Sequence, residues 1–316
     1  MIRAFVFPGQ GSQAVGMGRA LAEAFPAASH VFEEVDEALR QKLSKLMFEG
    51  PESDLTLTEN AQPALMAVSQ AVLRVLETEG NWTLSAKARF VAGHSLGEYS
   101  ALAAASSLSL QDAARLLKLR GQAMQKAVPV GIGAMAALLG LDLPAAQEIA
   151  AQAAKETGLV CSAANDNAPG QVVVSGHKEA VDRAIAIAAE KGAKRSVLLP
   201  VSAPFHCALM QPAADAMGEA LEKTTFNVPA VPLIANVTAA AVSEPEQIRK
   251  LLSEQITATV RWRESIETLK KEGVTRIFEI GAGKVLAGLV KRIDREIEGS
   301  SVGMPEDIEA ALKALS

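Results

Sequence analysis

The pentapeptide Gly93-His94-Ser95-Leu96-Gly97 is the stretch of this 316-residue chain whose residue types point most directly to chemistry. It follows the apolar pair Val91-Ala92 and precedes Glu98-Tyr99-Ser100-Ala101-Leu102-Ala103-Ala104-Ala105, a good helix-forming run. Strand, sharp turn and helix in that order make a nucleophile elbow. The glycines permit the turn and close packing, and Ser95 projects its hydroxyl at a helix N-terminus, where the dipole favours developing negative charge. The backbone N–H of Leu96 is then free to serve an oxyanion hole. The competing reading is a structural turn serine.

A serine nucleophile needs a base, and the histidines are His30, His94, His177 and His206. His206 lies in Val201-Ser202-Ala203-Pro204-Phe205-His206, a loop after an expected strand and before a helix, where a positioned base is common in α/β folds. A satisfied or surface histidine is the alternative there. His94 adjoins the nucleophile, and its side chain is expected to point away. His30, in a polar helical stretch, and His177, after a Ser-Gly turn, read as surface residues. Cys207 stands on no elbow and is the lesser nucleophile candidate.

Two further residues have chemical weight. Ser109-Leu110-Gln111-Asp112 reads as a helix start, and the stripe Ala113, Leu116, Leu117, Met124 then puts Arg120 on the apolar face. A buried guanidinium is costly without an anion, and its planar fork matches a carboxylate. Three readings stay open: a salt bridge, for instance with Glu98; a side chain that snorkels to water; or a clamp for a substrate carboxylate. The loop Phe7-Pro8-Gly9-Gln10-Gly11-Ser12-Gln13 has neither the GxxxxGK[ST] lysine nor the GxGxxG spacing, so nucleotide binding is not indicated. Its Gln10 N–H could instead supply the second half of an oxyanion hole.

The elements that must hold these residues alternate. Ala4 to Phe7 reads as a buried strand, Val15 to Phe25 and Ala61 to Thr78 as helices, and Arg89 to Ala92 as the strand before the elbow. Such alternation argues for a parallel sheet covered on both faces. From about residue 130 the order becomes strand Ala134 to Leu139, helix Pro144 to Lys155, strand Leu159 to Ala163, strand Gln171 to Ser175, helix Lys178 to Lys191, strand Arg195 to Leu199. This β-α-β-β-α-β order is the ferredoxin-like pattern. It reads as an insertion of residues 129–199 into a larger α/β domain made of 1–128 and 200–316, where Val231 to Ala235 and Arg276 to Ile280 are the clearest later strands.

Composition narrows the function classes. The chain is 49% hydrophobic and 21% charged, with 31 Lys plus Arg against 36 Asp plus Glu and a net charge of -5, which excludes disorder and leaves no basic footprint for nucleic acid or anionic lipid. Cys161 and Cys207 form no CxxC and no cluster with the histidines, so no metal site is expected and a reducing cytoplasm fits. The N-terminal apolar run is too short for a signal peptide, and Ala134 to Leu141 falls far short of a membrane span of about 20 residues. The expectation is a cytoplasmic protein with no membrane partner.

Taken together, FPGQGSQ at Phe7 to Gln13, QPA at Gln62 to Ala64, GHSLGEYSAL at Gly93 to Leu102, Arg120-Gly121, PGQVVVSG at Pro169 to Gly176, SAPFH at Ser202 to His206 and FEIGAG at Phe278 to Gly283 resemble the malonyl-CoA:acyl carrier protein transacylase family, in order and over nearly the whole chain. The resemblance implies an α/β-hydrolase-like core with a ferredoxin-like insert. It implies Ser95 as nucleophile, His206 as base, Arg120 as the malonyl carboxylate clamp, and the backbone N–H groups of Gln10 and Leu96 as oxyanion donors. It further implies that the backbone carbonyl of Gln255, rather than an aspartate, orients His206, and that Gln62 and Asn236 lie in the pocket or support it. Phe205 would limit bulk at the substrate α-carbon. Cys207 stands where the family more often has Ser.

The implied reaction is ping-pong malonyl transfer from malonyl-CoA to the phosphopantetheine thiol of acyl carrier protein for fatty acid biosynthesis. No resident cofactor is expected, since coenzyme A and phosphopantetheine enter as substrate parts, and the chain is expected to be a monomer. Lys191, Lys194, Lys284, Lys291 and Arg292 are the basic residues expected to meet the acidic carrier protein. Two other readings remain: a serine esterase or thioesterase, for which Asp112, Asp142, Asp166 or Asp182 could supply the acid, and a binding module without catalysis.

Overall fold

The computed structural model describes residues 1–316. Ten strands form two sheets: β1 Ile2–Phe7, β2 Phe90–Gly93, β3 Gly133–Leu139, β4 Cys161–Ala168, β5 Gln171–His177, β6 Arg195–Leu198, β7 Leu233–Ile234, β8 Ala241–Val242, β9 Val274–Ile280 and β10 Glu298–Val302. The larger sheet runs β10-β9-β1-β2-β7-β8, parallel throughout except for the terminal β7/β8 pair. Its central strand shows why the sequence chooses this arrangement. Phe5 and Phe7 bury into a core shared with helices Thr58–Gly80 and Leu110–Ala127, while Ala4 and Val6 bury on the opposite face against Trp262, Ile266 and Leu286. Burial of alternate residues on both faces is what a helix-covered parallel sheet demands, and each fully buried Phe contributes about 1.5–3 kcal/mol.

The smaller sheet has the order β4-β5-β3-β6 and is antiparallel throughout. Ala136, Leu138, Val172 and Val174 face helices Leu143–Thr157 and Lys178–Glu190, completing the ferredoxin-like pattern. Met135, Ala137 and Val173 face the other way and join the large core. One side of this sheet therefore closes its own small core and the other roofs the larger unit. The seam is tied by backbone: Val260 N–H donates to the Ala164 carbonyl at 2.8 Å, and Asp166 N–H donates to the Val260 carbonyl at 2.9 Å.

Boundaries differ from the sequence reading where local rules yield to context. The helix expected over Val15 to Phe25 is only Arg19–Ala24, because Gly16 and Gly18 adopt φ of 96° and 79°. The strand expected to end at Ala163 runs on to Ala168. Its Asn165-Asp166-Asn167 segment, polar and past the expected strand end, finds strand partners in β5 and at Val260. The edge strand β10, with sequence EGSSV, has too little apolar pattern to be read.

Candidate active site

Strands β1, β2 and β9 all end at one edge of the large sheet, and the loops that follow them converge there. After β2 the chain turns at Ser95, whose φ of 54° is a conformation few non-glycine residues adopt, and enters helix Gly97–Ala104. The flanking glycines are required by close approach. A Cβ on Gly93 would lie 1.9 Å from the Gly97 carbonyl carbon, and one on Gly97 would lie 2.3 Å from the Phe7 carbonyl oxygen. Asn236 clamps the turn: its Oδ1 accepts from Ser95 N–H at 2.8 Å and its Nδ2 donates to the Gly93 carbonyl at 2.7 Å. Asn236 is fully buried and sits behind the elbow, not on the cavity wall, so of its two expected places it takes the supporting one and makes no contact with the substrate cavity.

Ser95 Oγ lies 2.8 Å from His206 Nε2, and His206 Nδ1 lies 2.8 Å from the Gln255 carbonyl oxygen. A carbonyl only accepts, so Nδ1 carries the imidazole proton and Nε2 is left as acceptor for the serine O–H. The four aspartates of the hydrolase reading are engaged elsewhere: Asp112 with Ser109 and Arg115, Asp142 as a helix cap, Asp166 with Arg263, Asp182 with Lys178. Burial, and after it the Arg120 guanidinium, push His206 down to about 3, so the ring is neutral at physiological pH. Like Ser95, His206 has a left-handed backbone, with φ of 57°. Strain of this kind persists where surrounding contacts over-determine it.

Arg120 is buried, at 1% exposure, and makes no salt bridge. The snorkelling reading and the Glu98 ion pair therefore both fail. Nη1 donates to Gln62 Oε1 at 2.7 Å, and Nη2 donates to Gln255 Oε1 at 2.7 Å and to Ser95 Oγ at 3.1 Å. The Tyr99 ring lies 5.8 Å from the guanidinium carbon. Glu98 accepts instead from Asn236 N–H at 2.7 Å and from Gln255 Nε2. Burial raises Glu98 to about 7 against the pull of those donors.

The N–H groups of Gln10 and Leu96 donate to no other group of the protein, and both residues line the cavity above Ser95. Gln10 is held by its side chain, whose Oε1 accepts from Thr58 Oγ1 at 3.0 Å. The cavity, about 530 Å³, lies between the two sheets, with Ser95, His206, Arg120, Gln62 and Phe205 on one side and Met135, Asn165 and Val173 on the other.

Some residues fall elsewhere than the sequence suggests. His94 does not leave the site: it lines the cavity, with its ring against Trp262 and Nε2 2.8 Å from Asn167 Oδ1. His30 is exposed, while His177 is half-buried and accepts from Val160 N–H. Asn165 and Asn167 were missed as cavity residues; their signal was spacing by two on one strand, which puts both on one face. The five basic residues are all exposed; Lys191 leans toward Glu148 and Arg292 donates to Gln171, and of the remaining three, Lys194, Lys284 and Lys291, Lys284 lies beside the Ser12 loop at the site edge.

An acyl transferase domain model matches residues 4–302. The chain is 48% identical to a malonyl CoA-acyl carrier protein transacylase of Bacillus subtilis, covering 99% of this chain and 96% of that protein. The chain belongs to the malonyl CoA-acyl carrier protein transacylase family. The Escherichia coli member is 46% identical over 98% of both chains. The crystal structure of an acyl-carrier-protein S-malonyltransferase from Bartonella henselae superposes with a TM-score of 0.96 at 58% identity, covering 100% of this chain and 99% of the other. A malonyl-transacylase solved in complex with a type II polyketide acyl carrier protein superposes at 0.95 and 42% identity, covering 99% and 100%. The chain thus shares the family's fold and is an acyltransferase. No helix is long and apolar enough to cross a membrane.

Proposed function

We propose that the protein transfers malonyl from malonyl-CoA to the phosphopantetheine thiol of acyl carrier protein, through an ester on Ser95. The observation that carries the choice of acyl group is Arg120, a buried cation held only by neutral oxygens beside the Ser95 hydroxyl. A substrate carboxylate can take the second N–H of Nη1 and the Nη2 N–H now on Ser95 Oγ, forming a charge-assisted pair that an acetyl group cannot.

In the first half-reaction Ser95 Oγ attacks the thioester carbonyl as His206 Nε2 takes its proton. The carbonyl oxygen becomes an oxyanion on the N–H groups of Gln10 and Leu96. Collapse breaks the C–S bond, and the departing coenzyme A sulfur takes the proton from His206. In the second half the carrier thiol gives its proton to Nε2 and attacks the ester, and Ser95 leaves with that proton. The Gln255 carbonyl holds the ring in the tautomer needed for both transfers. A carboxylate on Arg120 also cancels the guanidinium's part in depressing His206, so the base strengthens when the correct acyl group is bound.

Phe205, on the cavity wall, limits bulk at the α-carbon. The protein works as a cytoplasmic monomer without resident cofactor, supplying fatty acid synthesis, and Lys284 with Lys291 and Arg292 offers positive charge to an acidic carrier protein. The test is intact-protein mass after exposure to malonyl-CoA, followed by addition of acyl carrier protein. The reading requires a malonyl adduct that the carrier discharges and that Ser95→Ala lacks. Free malonate without carrier would make the protein a hydrolase instead.

A further inference from the structure

A backbone carbonyl suffices to orient His206, and any residue at position 255 would provide one. The Gln255 side chain is nevertheless fully buried and fully engaged. Oε1 accepts from Arg120 Nη2 at 2.7 Å, while Nε2 donates to the Ser95 carbonyl at 2.9 Å and to Glu98 Oε2. Its orientation is set by Arg120: a guanidinium only donates, so the amide oxygen faces it and the amide nitrogen is turned to Glu98. The amide therefore stands between the site's one buried carboxyl group, Glu98, and its one buried cation, Arg120, with the acceptor end on the cation and the donor end on the carboxyl.

We propose that the Gln255 side chain is a specificity-determining positioning residue, which aims Arg120 while keeping it from pairing with Glu98. This rests on the malonyl reading of the site. Direct contact between Glu98 and Arg120 would form a buried ion pair, and a substrate carboxylate would have to displace an internal one of equal charge. With the amide interposed, Glu98 is satisfied by neutral donors, from Gln255 and the backbone of Asn236. Arg120 is satisfied on its inner side by neutral acceptors, Gln62 and Gln255, and keeps its full charge for the ligand. Glutamine is the side chain that can do this, since one end must accept, the other must donate, and neither can carry charge. The same amide fixes the Ser95 carbonyl, so the clamp and the elbow share one reference point.

The test is the ratio of kcat/KM for Ser95 ester formation from malonyl-CoA and from acetyl-CoA, in wild type, Gln255→Met, Gln255→Glu and Glu98→Gln. Gln255→Met keeps the backbone carbonyl but loses the spacer, and the malonyl-to-acetyl ratio should fall by about 30-fold or more, with the malonyl KM raised. Gln255→Glu should lower the ratio further, because its own carboxylate occupies Arg120. Glu98→Gln is isosteric, and it covers the case in which the position 255 variants fail a thermal-melting check. By loosening the amide it should lower the ratio by about 5-fold. Equal losses for both thioesters, the mark of a merely structural side chain, would overturn the proposal, as would an unchanged ratio in the folded variants. A wild type that shows no preference for malonyl would instead sink the malonyl reading beneath it.

Discussion

Two arginines in this molecule have a buried carboxyl group nearby, Glu98 for Arg120 and Asp166 for Arg263, and are treated in opposite ways. At the seam between the sheets, Arg263 donates to Asp166 through Nε at 3.0 Å and Nη2 at 2.9 Å, and to Glu267 at 2.7 Å. At the cavity, Arg120 is more deeply buried and has three oxygen partners, none of them charged. Both sites satisfy hydrogen bonds, but only the seam neutralises its charge. Desolvation alone would favour pairing the deeper residue first. The reversal teaches that a structural arginine brings its anion from the chain, whereas this site leaves the anion to the ligand.

Ser95→Ala should produce the largest effect, with no acyl-enzyme detectable by intact mass, while Arg263 and its partners stay as they are. Next, Arg120→Ala should reduce malonyl loading by about 100- to 1000-fold and leave acetyl loading within about 10-fold, a loss of 3–4 kcal/mol in transition-state binding for the charged acyl group, from ~1.4 kcal/mol per tenfold. The opposite variant sharpens the contrast. Arg263→Met leaves Asp166 buried without its partner and should cost about 2 kcal/mol of stability in denaturant unfolding, discounted because Arg263 is a quarter exposed. It should leave the malonyl-to-acetyl ratio unchanged.

The pH dependence of stability gives a smaller test of the site. His206 titrates near 3 when folded and near 6.5 when unfolded, so the unfolded chain binds the extra proton between those values. Its contribution is fully present above about pH 6.5 and is lost as pH falls toward 3; at pH 5 the loss is about 2 kcal/mol. His206→Gln should remove that part of the acid sensitivity in pH-dependent melting. Smallest of all, Lys284→Glu should slow discharge by acyl carrier protein a few-fold and leave loading from malonyl-CoA alone.

The sequence displayed the reacting atoms more clearly than their supports. Ser95 was visible because its glycines answer to one geometric need, and Arg120 because a guanidinium on an apolar stripe violates patterning. The ferredoxin-like order was visible because each strand and helix there keeps its own period. Less legible was whatever depends on a partner far along the chain. Asn236 reads as an ordinary polar residue until it is seen holding Ser95 from 141 positions away. Glu98 looks like a first-turn helix acid, yet it is buried and carries Gln255 and Asn236. Asn165-Asp166-Asn167 stayed outside the expected strand because Asn and Asp have low strand propensity, and propensity ignores the strand partner and the arginine that tertiary packing supplies.

On this reading Arg120 holds an uncommitted charge for the carboxylate of the acyl group. The decisive measurement is rapid-quench intact mass on wild type and Arg120→Ala, each mixed separately with malonyl-CoA and acetyl-CoA. Wild type should load malonyl far faster than acetyl, and Arg120→Ala should load both at similar, slow rates. Retention of the malonyl preference in a folded Arg120→Ala protein would rule out Arg120 as the carboxylate clamp.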